Sequence, residues 1–255
     1  MPTPFTHLQV AQKLLVDPVI PSAVRDRLAA QLSAFLLGNI AADARTQSGI
    51  SRSDTHFYHY DTPMTDHPWR VMLAQHPALA QPDNGEQQTF IAGYVAHLAM
   101  DEVWTLHMLG PRFFEGTWGA DRRFRFFMLH LLLAYMDERD YALLEAWQAD
   151  VLAAAIPDDW LSFMPDADLL VWRDYIQGQL TGESQTLVIF GQRLDKPVEA
   201  LRAVLDSPER LQADLWANVP QEALEQIEDR MYTFAREQML LYLSENYASK
   251  VLFGG

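Results

Sequence analysis

The chain has 255 residues, 49% of them hydrophobic, and a formal net charge of −15. That is enough chain for one large core or two small ones. The acidity repels polynucleotides and anionic membrane faces at long range, so no nucleic-acid partner and no stable membrane association are expected.

Most of the chain has helical period. Residues 21–37 open on Pro21-Ser22 and place Val24, Leu28, Leu32 and Phe35 at three- and four-residue steps, predicting a helix. Residues 38–68, rich in Asp, Ser, Thr and His, read as a loop, followed by a short helix over 69–75. Pro82-Asp83-Asn84-Gly85 is a turn, and a helix over 86–108 is expected to stop at Gly110-Pro111. Apolar helical segments are expected over 121–136 and 140–155, then 166–181, 183–194, 196–205 and 209–219. A long amphipathic helix over 221–247 closes the chain, its stripe made by Leu224, Ile227, Met231, Phe234, Met239, Tyr242 and Leu243. No segment alternates as a strand does, and no repeat or linker is visible. The expectation is one all-α domain over 1–255, with a metal-site half at about 1–140 and a helical packing half at about 141–255.

The chain has no cysteine, which leaves His, Asp, Glu, backbone and water as metal ligands, a set suited to zinc, manganese or iron. Residues 1–20 show no basic leader followed by an unbroken apolar run, because Lys13 and Asp17 interrupt it. The longest apolar stretch, 126–136, contains His130 and is too short to span a bilayer. A cytoplasmic protein is therefore expected.

Seven of the eight histidines precede residue 110. On the helix over 86–108, His97 and Asp101 are four residues apart and about 40° apart around the axis, so both share one face. An apolar helix has little reason to bury two such groups without a partner. The pair is either a structural hydrogen bond or two ligands of one metal ion. His107 lies about 120° from Asp101 on the wheel, off that line. It serves a neighbouring site, lines a pocket, or caps the helix end.

Four stretches together resemble a known family: His7; Gly38-Asn39-Ile40-Ala41-Ala42-Asp43; Thr55-His56-Phe57; and Gly93-Tyr94-Val95-Ala96-His97-Leu98-Ala99-Met100-Asp101-Glu102-Val103-Trp104. Their order is similar to that of the zinc-dependent phospholipase C family, which is similar in turn to single-strand nucleases of the S1/P1 type. The resemblance implies an all-α fold with zinc in a cleft. It implies one site from Asp43, His56, His97 and Asp101, with Asp101 bridging to a second ion that also takes His7. A third ion would use two histidines and a glutamate. His107 matches the first of these and His130 weakly matches the second, but Ala134 stands where the glutamate belongs.

One or two zinc ions, or another divalent metal, held this way would suit hydrolysis of phosphoester bonds on a small substrate. Asp43 and Glu102 are the candidates to take a proton from the attacking water. Tyr58, Arg45, His59 and His107 are candidates for substrate contact or for supporting the ligands, and Arg45 and Arg52 could clamp a phosphate. The competing expectation is a non-catalytic helical protein that keeps the fold and part of the site. A phosphohydrolase marked by an adjacent His-Asp pair is disfavoured, since the chain has no such dipeptide.

Overall fold

The computed structural model describes residues 1–244, and among them there is no strand. The helices are α1 (Pro4–Val16), α2 (Ser22–Ala30), α3 (Leu32–Ala41), α4 (Arg45–Ser48), α5 (Arg52–His56), α6 (Pro68–Gln75), α7 (Gly85–Trp104), α8 (Arg122–Tyr141), α9 (Trp147–Ala153), α10 (Asp166–Thr181), α11 (Thr186–Leu194), α12 (Val198–Leu205), α13 (Pro208–Arg210) and α14 (Gln221–Leu243). The chain is thus all-α, as its periodicity implies.

The centre is α7. Every residue from Thr89 to Trp104 is buried, which is the mark of a helix wrapped on all sides. It packs between α3 and α14, with α1 against α3 and α8. Asn84 starts it: the side chain accepts a hydrogen bond from the Gln87 N–H at 2.9 Å, satisfying one of the free donors of the first turn.

Two glycines set how closely α3 and α7 cross. A Cβ on Gly38 would lie 2.0 Å from the Phe90 carbonyl oxygen, and one on Gly93 would lie 2.5 Å from the Phe35 carbonyl oxygen. Backbone meets backbone at this crossing, and no side chain fits between. The residues just past each glycine, Asn39 and Ala96-His97, are thereby brought together.

Several element limits differ from the sequence expectation. The helix expected over 21–37 breaks at Gln31. Before the break only Leu28 is buried, whereas after it Ala34 to Ala41 are all buried, so the chain changes direction as it enters the core. The loop expected over 38–68 is helical through its first part: α3 runs on to Ala41, a 3-10 turn covers Ala42–Ala44, and α4 and α5 follow. Asp43, Arg52 and His56 in this stretch face a site within the protein, although its polar composition suggests solvent.

The stop at Gly110-Pro111 is also passed. Wide π-type turns continue from Thr105 to Phe114, closed by Glu115 N–H to Gly110 O at 3.0 Å. Proline cannot donate, and its ring crowds the carbonyl four residues back; the wider turn relieves both. The segments expected over 121–136 and 140–155 are redistributed, since α8 is continuous to Tyr141 and α9 begins only at Trp147. Residues 245–247 of the last expected helix lie outside the described residues.

Candidate metal centre

Five ligand-type side chains from four regions converge beneath the α3–α7 crossing. His7 comes from α1, Asp43 from the 3-10 turn after α3, His56 from the last residue of α5, and His97 and Asp101 from α7. Short α5 is held at both ends: Ser51 accepts from the Asp54 N–H at 3.2 Å, and Phe57 ends it in the left-handed region at φ 61°. Phe57 packs edge-on to Phe163, with ring centroids 5.2 Å apart, which fixes the turn that presents His56.

Asp101 is the hub. One carboxylate oxygen, Oδ1, lies 3.6 Å from His7 Nε2. The other, Oδ2, lies 3.3 Å from His56 Nε2 and 3.3 Å from His97 Nε2. Asp43 Oδ1 is 3.5 Å from His56 Nε2. Two overlapping triads result, His7–His97–Asp101 and Asp43–His56–His97, each with its ligand atoms within 4.8 Å of one another. The His7 and His97 rings are stacked, with centroids 3.8 Å apart and planes 12° apart.

Neighbours aim these rings. His97 Nδ1 is 2.8 Å from the Asn39 carbonyl oxygen. A carbonyl only accepts, so Nδ1 carries the proton and Nε2 turns its lone pair to the cluster. His56 Nδ1 pairs with Thr55 Oγ1 at 2.9 Å, and Tyr94 Oη donates to the Thr55 carbonyl at 2.7 Å. Asn39 is itself tied to the Phe35 carbonyl through Nδ2 at 2.8 Å.

The inward-facing atoms are left without hydrogen bonds. His7 Nε2, His56 Nε2, His97 Nε2 and both Asp101 carboxylate oxygens are buried and unpartnered. One such orphan costs about 1–3 kcal/mol, and native proteins carry few of them. A set of nitrogens and carboxylate oxygens converging on one spot is the donor set that zinc takes. The residues present therefore fit the metal.

Electrostatics agree. Burial opposes charge on Asp101, but His97, His56 and His7 outweigh it and hold the carboxyl well below the usual range. Asp43 is likewise held low, against its burial, by His56 and His97. Burial, and then the nearby His97, push His7 down to about 4. His97 goes the other way: burial disfavours its charge, but Asp101 raises it overall. The Met1 amine is buried nearby, and burial lowers it to about 6 against the pull of Asp101.

Arg52 bounds the cluster. Its guanidinium is 3.9 Å from Asp101 Oδ2, lies over the Tyr58 and Tyr60 rings at 4.3 and 4.4 Å, and donates to Tyr58 Oη at 2.5 Å. Above it opens a pocket of about 620 Å³ lined by Asp43, Arg45, Arg52, Tyr60, Trp172, Gln192 and Arg193, among others. A cavity of about 730 Å³ lies away from the cluster, lined by Asp17, Arg139, Asp140, Glu228 and Arg236. Several of its charges already pair with one another, Arg139 with Glu228 and Arg236 with Asp17.

The other candidates fall on different sides of this picture. Tyr58 reaches the site through Arg52, and Arg45 through the pocket wall. Glu102 does not join the cluster: its carboxylate is 2.8 Å from His67 Nδ1. His59 is exposed beside a different hollow, near Pro63 and Asp66. His107 is half-buried near Arg230. His130 bonds to the Phe126 carbonyl through Nδ1 at 2.7 Å and stands edge-on to Phe190. Neither His107 nor His130 enters a ligand group among the described residues. Sequence reasoning missed His67 as the partner of Glu102, and it missed the part of α10 and α11. Read as packing only, these helices supply Trp172, Tyr175, Gln192 and Arg193 to the pocket. No local pattern in the sequence marks these residues, because their place depends on how α10 and α11 pack.

No match was found among curated proteins or among solved structures. A family model described as zinc dependent phospholipase C matches residues 6–169. That segment holds all five converging side chains. With more than half its length in that match, the chain belongs to the zinc-dependent phospholipase C family.

Proposed function

We propose that the protein is a zinc-dependent phosphoesterase that cleaves a phosphodiester in a small substrate, in the manner of a phospholipase C. The observation that supports this best is the set of orphaned His and Asp atoms beneath a pocket walled by arginine. His7, Asp43, His56, His97 and Asp101 would hold the metal, with one Asp101 oxygen turned to His7 and the other to His56 and His97. Zinc bound there would polarise a phosphoryl oxygen and lower the pKa of water.

The chain's own groups do the rest. Arg52 neutralises charge on Asp101 and is placed to meet the phosphoryl group of a substrate in the pocket. Asp43 is the one member of the five that opens on the pocket, and it is ionised at neutral pH. It can orient a water by accepting a hydrogen bond. Its low pKa makes it a weak base, so ligation is its main role. Glu102 acts with His67 in holding α7 to the start of α6.

A second reading, a helical protein with a structural metal, is favoured by one observation: His7, His56, His97 and Asp101 are wholly buried. Turnover decides between the two. The zinc-loaded protein should hydrolyse bis-p-nitrophenyl phosphate, and Asp101→Asn should lose about a thousandfold or more while staying folded. Tight zinc with no turnover on a broad phosphoester panel would establish the second reading.

A further inference from the structure

Metal binding leaves two groups on the pocket wall unexplained. Arg45 follows directly on the turn that carries Asp43, and Arg193 comes from α11, far along the chain. Both open on the pocket above the cluster. Arg52 is engaged with Asp101, Tyr58 and Tyr60, but neither Arg45 nor Arg193 makes an ion pair among the described residues. Arg45 Nε is buried with no acceptor at all.

The chain has 34 acidic side chains and 19 basic ones, so partners were plentiful. The only carboxylate on this wall among the described residues is Asp43, which is turned to His56 at 3.5 Å. Burial lowers the pKa of Arg193, and the like charge of Arg45 lowers it further. Two guanidinium groups that line one pocket, Arg45 half-buried and Arg193 more exposed, neither in an ion pair, are stabilised by an anion that reaches both. The planar fork of arginine matches phosphate or carboxylate oxygens.

We propose that Arg45 and Arg193 form a second anion subsite, which binds a phosphate or carboxylate carried by the substrate in addition to the phosphoryl group at the metal centre. The substrate is then a phosphoester whose head group or alcohol is itself anionic, in preference to one with a neutral or cationic group. This rests on the phosphoesterase reading above. A volume of about 620 Å³ has room for both groups. Arg193, on α11, lies beyond the family match at 6–169.

Two esters with the same leaving group test it: methyl p-nitrophenyl phosphate and 3-phosphopropyl p-nitrophenyl phosphate. In Arg193→Gln and in Arg45→Gln, each checked for fold by circular dichroism, kcat/KM for the phosphopropyl ester should fall about 10- to 100-fold and that for the methyl ester less than about threefold. Arg193→Lys should lie between. Equal losses on both esters, or no loss on either, would overturn the subsite. A binding readout keeps this separate from catalysis. Inorganic sulfate titrated calorimetrically into the zinc-loaded full-length protein should bind saturably, and at least about tenfold more weakly in either glutamine variant. Sulfate binding that these variants do not change, or no saturable binding, would overturn the proposal. If neither ester is hydrolysed yet sulfate binding depends on Arg45 and Arg193, the catalytic reading fails and the anion subsite stands.

Discussion

Replacing Gly38 by alanine should force α3 and α7 apart and loosen zinc in the same step. The added Cβ would lie 2.0 Å from the Phe90 carbonyl oxygen and 2.9 Å from its carbon, and these are backbone atoms that cannot rotate away. Ordinary contact begins near 3.4 Å, so the helices must separate locally by about 1.4 Å. Overpacking of this kind costs about 1–3 kcal/mol, and the clash here belongs at the upper end, while removing a helical glycine returns about 1 kcal/mol. A net loss of about 2 kcal/mol lowers Tm by roughly 4–8 °C in a chain of this size. The same crossing holds the Asn39 carbonyl 2.8 Å from His97 Nδ1, so the proposed ligand His97 loses its orienting bond. Loss of such support weakens metal affinity about 10- to 100-fold. Thermal unfolding followed by circular dichroism reads the first effect, and competition with a chromogenic chelator reads the second. Gly178→Ala on α10 is the control, because its Cβ would meet nothing within 4 Å; it should leave Tm unchanged or raise it. A Gly38→Ala protein with wild-type Tm and wild-type zinc affinity would refute the reasoning.

Other outcomes follow from the same structure. Asp17 ties α1 to α14 through Tyr232 Oη at 2.6 Å and Arg236 at 2.9 Å, bonds that lower it to about 2. Its folded pKa is below its unfolded value, so Asp17→Asn should cost about 2 kcal/mol at neutral pH, a difference that shrinks as pH falls from about 4 toward 2; denaturant melts across that range read it. Asp137 is the reverse case, pushed up to about 6 by burial although Ser184 donates to it at 3.0 Å. The folded state holds that proton more tightly, so stability falls as pH rises from about 4 through 6; Asp137→Asn should therefore be about 2 kcal/mol more stable than wild type at pH 7.5 and no more stable at pH 4. Glu102→Gln should change kcat/KM less than about threefold, since Glu102 is bonded to His67 away from the cluster, whereas Asp43→Asn should lower it about a hundredfold or more. A large loss in Glu102→Gln would restore Glu102 as a catalytic group.

What was legible in the sequence was what one helix or one motif decides alone. The His97–Asp101 spacing needs only the 3.6-residue turn, and α7 reads as buried because almost nothing polar interrupts it. The ordered stretches around His7, Asp43 and His56 carried the family resemblance, and the structure brings all three to Asp101 or its neighbours. What was not legible depends on where distant helices meet. Asn39 and Ser51 look like loop residues, yet one supports His97 and the other starts α5. Pro111 reads as a stop, but wide turns carry the chain past it. Arg193 has no local pattern that marks it; only the packing of α11 brings it to the same pocket as Arg45. Glu102 sits next to Asp101 in sequence, yet 100° of helical rotation sends it to His67.

The most direct test of the account is the zinc content of the purified protein by elemental analysis, beside His97→Ala and Asp101→Ala, each checked for fold by circular dichroism. His97 belongs to both triads and Asp101 faces three histidines. The account predicts one to two equivalents of zinc in the wild type and less than about a tenth of that in either folded variant. Stoichiometric zinc retained in both variants, or none in the wild type even after reconstitution, would contradict it.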